Sequence, residues 1–168
     1  VIKIINSYTP DIATEANAHA LARYAATAQE AGLVPIVEPE VLMDGDHSID
    51  VCQSVTERTL ACVFDQLYRH NVRLEATVLK PNMVVAGNAC SQQPDITEVA
   101  DRTLETLRRH VPSAIPGIAF LSGGQSEEDA TAHLNAMNAQ GPQPWELTFS
   151  YGRALQQSTL QAWKGSPD

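Results

Sequence analysis

The chain is 168 residues long, with 43% hydrophobic and 18% charged residues and a formal net charge of −9. That length accommodates a core of ordinary size, and the composition is that of a folded chain rather than a disordered one. The negative balance removes the attraction on which nucleic-acid and anionic-membrane partners depend, so neither is expected, and any anion site must be built locally from backbone N–H groups and a few placed cations.

In chain order, Val1–Ile5 reads as a strand. Thr9-Pro10 then gives an N-cap and first-turn signal for an alanine-rich helix reaching Ala31, with Gly32 as its stop. Leu33–Glu38 is a second strand, Asp44-Gly45-Asp46 marks a loop, and Asp50–His70 has helical periodicity. Arg73–Lys80 is a third strand, ended by Pro81-Asn82. Pro94-Asp95 opens a helix to about His110, and Gly117–Leu121 is a fourth strand closing on Ser122-Gly123-Gly124. Ser126 starts a helix with three acids in its first turn, and Glu146–Phe149 is a fifth strand ending at Ser150-Tyr151-Gly152. A last helix covers Arg153–Trp163.

Strands alternating with helices imply an α/β fold with parallel strands and right-handed crossovers. No linker interrupts the pattern, so residues 1–168 are expected to form a single domain. Two architectures fit: an open doubly wound sheet, or part of a (β/α)8 TIM barrel. A whole barrel takes about 250 residues and eight units, so five units would be an incomplete one.

In either architecture the site lies at the C-terminal ends of the strands. Those ends carry Glu38-Pro39-Glu40, Lys80-Pro81-Asn82, Ser122-Gly123-Gly124 and Ser150-Tyr151-Gly152-Arg153. Period-2 alternation puts Leu74, Ala76, Val78 and Lys80 on one face. A lysine ending such an apolar row is expected to be desolvated, which lowers its pKa and frees the neutral amine that attacks carbonyls. The same position also suits a lysine that snorkels to water or pairs with a carboxylate. Glu38 and Glu40 would share a face in extended backbone, as an acid–base pair or as a solvated acidic strand end. The glycine loops can bring N–H groups to an anion, with Arg153 as a two-donor clasp, although turns also use glycine for conformational reasons.

Cys52, Cys62 and Cys90 show no CxxC or metal spacing, and three cannot all pair with one another, which favours a reducing compartment. Asp44-Gly45-Asp46-His47 lacks the ligand count of a calcium loop and reads as a loop only. No apolar run is long enough to span a membrane.

Four segments resemble, in order, the motifs of class I fructose-bisphosphate aldolases. They are Leu33-Val34-Pro35-Ile36-Val37-Glu38-Pro39-Glu40-Val41-Leu42 with Asp44-Gly45-Asp46-His47, then Val78-Leu79-Lys80-Pro81-Asn82-Met83-Val84. The third is Phe120-Leu121-Ser122-Gly123-Gly124-Gln125-Ser126-Glu127-Glu128, and the fourth Leu147-Thr148-Phe149-Ser150-Tyr151-Gly152-Arg153-Ala154-Leu155-Gln156. The resemblance implies a (β/α)8 barrel, of which this chain supplies about the last five units. It implies a metal-independent, cofactor-free cleavage of fructose 1,6-bisphosphate through an imine on Lys80. Glu38 would exchange protons, Glu40 would support the lysine, and Ser122, Gly123, Gly124, Ser150, Gly152 and Arg153 would hold the phosphate. A cytoplasmic homotetramer is implied, with a plastid form as the other location.

The family also uses an aspartate and a lysine from early strands, a Lys and an Arg just upstream of Val1, and a C-terminal tyrosine, none of them in this chain. The 168-residue chain alone is therefore expected to show little cleavage activity and to aggregate or dimerise through uncovered strand edges. A half-barrel that only binds sugar phosphate or a protein partner remains the alternative.

Overall fold

The computed structural model describes residues 1–4 and 9–165. The elements run α1 Asp11–Glu30, β1 Ile36–Val37, α2 Ile49–Arg69, a 3-10 turn Leu74–Ala76, β2 Val78–Leu79, α3 Ile96–His110, β3 Gly117–Phe120, α4 Glu127–Ala139, β4 Glu146–Phe149 and α5 Arg153–Trp163. The strands form one parallel sheet in the order β1-β2-β3-β4. That order decides between the two architectures. A doubly wound sheet reverses its strand order at a switch point, whereas sequential order with right-handed crossovers lays every helix on one face, as in a barrel. In agreement, α1 packs on α2, α2 on α3, α3 on α4 and α4 on α5.

Three helix starts follow from local chemistry. The Ser48 hydroxyl accepts from the Val51 N–H (3.4 Å), the Asp95 carboxylate from Glu98 N–H (2.8 Å) and the Ser126 hydroxyl from Asp129 N–H (3.0 Å). Each fills one of the donors that a helix start leaves open. The first helix departs from expectation. Pro10 occupies its cap position, and the Pro10 carbonyl accepts from Ala13 (3.1 Å) and Thr14 (3.3 Å), while the Thr9 hydroxyl is buried without a partner. Pro10 has φ −59° and ψ 130°, an extended and not a helical backbone, so the helix begins after it. Its buried stripe is Thr14, Ala18, Ala22 and Ala25, small residues that let α1 lie close on α2.

Register places Val37, Leu79, Ile118, Leu147 on one side of the sheet, followed by Phe120 paired with Phe149. Val37, Leu79, Ile118 and Phe120 are all 0% exposed; the last three pack with Leu60, Leu104, Leu107 and Met137, and Val37 with Ala18, Ala22, Val63 and Leu67. The opposite, inner side carries Ile36, Val78, Gly117, Ala119, Glu146 and Thr148.

Three expected strands are shortened or replaced, and of Leu33–Glu38 only Ile36–Val37 is a strand. Val1–Ile5 contributes a single parallel bridge, Ile2 to Val41, in which Ile2 N–H donates to Glu40 O (2.6 Å) and Leu42 N–H to Ile2 O (2.8 Å); Ile5 lies outside the described residues. Arg73–Lys80 splits into the 3-10 turn and a two-residue strand, so the apolar row Leu74-Ala76-Val78 leading to Lys80 does not form. The cause lies in Gln29, whose carboxamide accepts from Arg73 N–H (2.9 Å) and donates to Arg73 O (2.9 Å) and Ala76 O (3.2 Å). Backbone groups that a ladder would otherwise satisfy are satisfied by this side chain instead.

Candidate active site

Residues just past the paired Val37 and Leu79 come together at the C-terminal edge. Lys80 N–H donates to Val37 O (2.8 Å), extending the ladder by one bond, and the Lys80 Nζ lies 3.2 Å from a Glu38 carboxylate oxygen. Both side chains stand on the inner face, with 20% of the lysine and 45% of the glutamate exposed. The lysine thus ends against a carboxylate rather than on an apolar row. Such a carboxylate holds the Nζ in place and is within reach to take its proton. Continuing the β2–β3 register one step places Ala119 beside Lys80, so a small side chain leaves room next to the amine.

Burial alternates through Val37–Val41, with Pro39 and Val41 buried and Glu38 and Glu40 not, so the two carboxylates do share a face. The ion pair on Lys80 is made by Glu38, however, and not by Glu40, to which the resemblance assigns support of the lysine. Register is the reason. Glu38 is the residue opposite Lys80, whereas Glu40 belongs to the segment bridged by Ile2.

Asn82, which has a place after Lys80-Pro81 in the sequence but no role assigned from it, is buried and ties the Glu38–Glu40 and Lys80 segments together. Its Oδ1 accepts from Val41 N–H (2.9 Å), and its Nδ2 donates to Thr56 Oγ1 (3.2 Å) and Met83 O (3.1 Å). A buried carboxamide bonded through both its oxygen and its nitrogen links the Glu38–Glu40 segment to the Lys80 segment. The signal available was its place directly after Lys80-Pro81.

The two glycine loops flank this edge from β3 and β4. Leu121 N–H donates to Pro81 O (3.1 Å) and Ser150 N–H to Phe120 O (2.8 Å), so both loops leave the sheet in register with the Lys80 segment. Gly123 and Gly124 have φ of +63° and +100°, a conformation that L side chains rarely adopt. Gln125 N–H closes the turn on Ser122 O (3.1 Å). The second loop is anchored by Tyr151, whose hydroxyl donates to Ala130 O (2.8 Å) and whose burial pushes the phenol up to about 12. Gly152 then precedes α5, which has no side-chain cap and no acid in its first turn, with exposed Arg153 as its first residue. By contrast α4 begins with Ser126 as cap and Glu127, Glu128 and Asp129 in its first turn. An anion is therefore favoured at the start of α5 and repelled at that of α4.

Asp44-Gly45-Asp46-His47 is a loop, as expected, zipped to the segment after β2. Gly87 N–H donates to His47 O, Asn88 N–H to Met43 O and Ala89 N–H to Gly45 O, each at 2.8 Å. A Cβ on Gly87 would fall 2.3 Å from Gly45 O, so this approach requires glycine. Among the described residues no group of three or more His, Cys, Asp or Glu could hold a metal ion, and no helix is long and apolar enough to cross a membrane.

Sequential parallel strands with helices on one face, and polar side chains gathered on the C-terminal edge, define a segment of a (β/α)8-type barrel. The chain belongs to the class-I fructose-bisphosphate aldolase family, whose model matches residues 1–168. It is 56% identical over 169 residues to fructose-bisphosphate aldolase B of Gallus gallus, covering 100% of this chain and 46% of that protein. It is 55% identical over 163 residues to a probable fructose-bisphosphate aldolase class 1 of Xanthomonas campestris pv. campestris, covering 97% of this chain and 49% of that one. The fold matches the Plasmodium falciparum fructose-bisphosphate aldolase, solved in complex with TRAP and a small-molecule inhibitor. That match has a TM-score of 0.96 and 52% identity, over 99% of this chain and 48% of the other. The chain thus spans about half the length of the relatives it matches.

Proposed function

We propose that the intact protein carrying this chain is a Schiff-base aldolase that reversibly cleaves fructose 1,6-bisphosphate to dihydroxyacetone phosphate and glyceraldehyde 3-phosphate. The observation that carries this reading is the Lys80–Glu38 pair at 3.2 Å on the inner face of the parallel sheet, in a chain of this family. Glu38 takes a proton from the Lys80 Nζ, and the freed amine attacks the substrate ketone. The carbinolamine loses water as Glu38 returns a proton to its oxygen, while Glu40 completes the acid–base pair. The hydroxyl beside the breaking carbon–carbon bond gives its proton to the Glu38 carboxylate as the iminium draws in the bond's electron pair, the aldehyde product departs, the enamine takes a proton back at carbon, and water releases the ketone from Lys80. Ser122, Gly123 and Gly124, with Ser150, Gly152 and Arg153, hold the phosphate next to the ketone. The capless, acid-free start of α5 supports that assignment. No metal or organic cofactor enters these steps.

In this reading the protein is a cytoplasmic enzyme of glycolysis and gluconeogenesis, a homotetramer, and residues 1–168 belong to one barrel domain. The test is borohydride reduction of the intact protein with dihydroxyacetone phosphate, followed by peptide mass spectrometry. The adduct is expected on Lys80 and absent from the Lys80→Met variant. A wild-type protein that acquires no adduct would sink the proposal.

A further inference from the structure

The Ser122–Gln125 turn is held from behind by a side chain of α4. His133 is buried, and its Nδ1 lies 2.7 Å from Gln125 Oε1, while Gln125 Nε2 donates to Ser122 O (3.0 Å). A carbonyl can only accept, so the Ser122 oxygen dictates that the Gln125 amide nitrogen faces it and that Oε1 faces His133. The histidine must then donate from Nδ1, which fixes its tautomer. Burial holds the ring pKa below its usual value against the opposing pull of Asp129, consistent with a neutral ring carrying that one proton. The Ser122 carbonyl consequently receives two bonds from one residue, the Gln125 backbone N–H (3.1 Å) and its carboxamide. In a planar trans peptide the N–H points opposite to the C=O, so a carbonyl pinned toward Gln125 turns the Gly123 N–H to the side away from Gln125.

We propose that His133 is a positioning residue of this loop: through Gln125 it pins the Ser122 carbonyl and thereby aims the Gly123 N–H at the phosphate of the substrate. This rests on the phosphate role given above to Ser122–Gly124. His133 itself touches no substrate.

The discriminating variants are His133→Asn, whose amide nitrogen can stand where Nδ1 stands, and His133→Leu, which has no donor. Gln125→Met removes the middle of the relay without touching α4. Trapping of the Lys80 imine is measured in the intact protein with dihydroxyacetone phosphate and with phosphate-free dihydroxyacetone. Losing a hydrogen-bonded anion contact should raise the half-saturating concentration of dihydroxyacetone phosphate about tenfold in His133→Leu and Gln125→Met. The phosphate-free ketone should be trapped as in wild type, and His133→Asn should stay within about twofold of wild type for both ketones, because one donor replaces another. Equal losses with both ketones, or no loss in either donorless variant, would overturn the proposal; so would His133→Asn behaving like His133→Leu. Isothermal titration with inorganic phosphate separates this inference from the catalytic reading. If wild type forms no imine yet His133→Leu weakens phosphate binding, the loop role stands and the aldolase reading fails; unchanged phosphate binding in that variant overturns the loop role.

Discussion

The two faces of the sheet differ in what they are built for. On the helix side, Val37, Leu79, Ile118 and Phe120 are fully buried, and the cluster that the last three join runs on through Leu104, Leu107, Ile115 and Trp145. On the inner side, the same strands present Ile36 at 48% exposure, the small Gly117 and Ala119, and polar Glu146 and Thr148, with Glu38 and Lys80 at the edge. One backbone, two residues per repeat, therefore separates stability from chemistry: burial energy accumulates on one side, and space with ionisable groups remains on the other. Substitutions on the two sides should have opposite consequences.

The largest contrast is between Phe120→Ala and Lys80→Met in the intact protein. Phe120 is a large side chain with no exposure, and truncating it should cost about 3–5 kcal/mol in urea unfolding. Lys80→Met breaks an ion pair whose glutamate side chain is 45% exposed, so stability should change by less than about 1 kcal/mol while imine formation vanishes. If Lys80→Met unfolds the protein as readily as Phe120→Ala does, the two faces are not separable in this way.

Local chemistry made the outer layer legible. Glu146–Phe149 forms as the strand expected before Ser150-Tyr151-Gly152, and Ser126 with three following acids defined the start of α4. The sheet edge was less legible because its geometry depends on residues far apart in the chain. Gln29 satisfies backbone groups of Arg73 and Ala76, and this turned an expected strand into a 3-10 turn. Asn82 joins the segments of Val41 and Thr56. His133 reaches Gln125 from four residues beyond Asp129, the last acid of the first turn of α4. None of these partnerships has a local sequence signature. The order of strand ends along the chain nonetheless grouped Glu38, Lys80 and the two glycine loops on one edge, because parallel strands put all their C-termini together.

A finer version of the comparison sets the two helix starts beside the glycine loops against each other. Ser126 both accepts from Asp129 N–H (3.0 Å) and donates to the Asp129 carboxylate (2.8 Å), so α4 closes its own N-terminus, whereas α5 begins without any side-chain cap. Ser126→Ala should lower stability by about 1 kcal/mol, measured as a shift in the urea midpoint. A neutral result would mean that the packing of α4, rather than its cap, holds that helix start.

The smallest expected effect concerns His47, which sits in the loop zipped behind β2 and is buried with both ring nitrogens lacking a partner. Burial lowers its pKa from the ordinary 6.5, and Asp46 opposes this in part. A histidine whose folded pKa is depressed leaves the unfolded chain binding more protons, so its stability contribution is complete above about pH 6.5 and is lost as pH falls through that value. His133 shifts in the same direction, and burial is again the cause. The urea midpoint should therefore decline between about pH 7.5 and about pH 5.5, and His47→Leu should decline less steeply over that window, since one of the two histidines no longer titrates. A His47→Leu profile parallel to wild type would show that this loop opens to water without cost, and would place it with the accessible inner face rather than with the packed helix side.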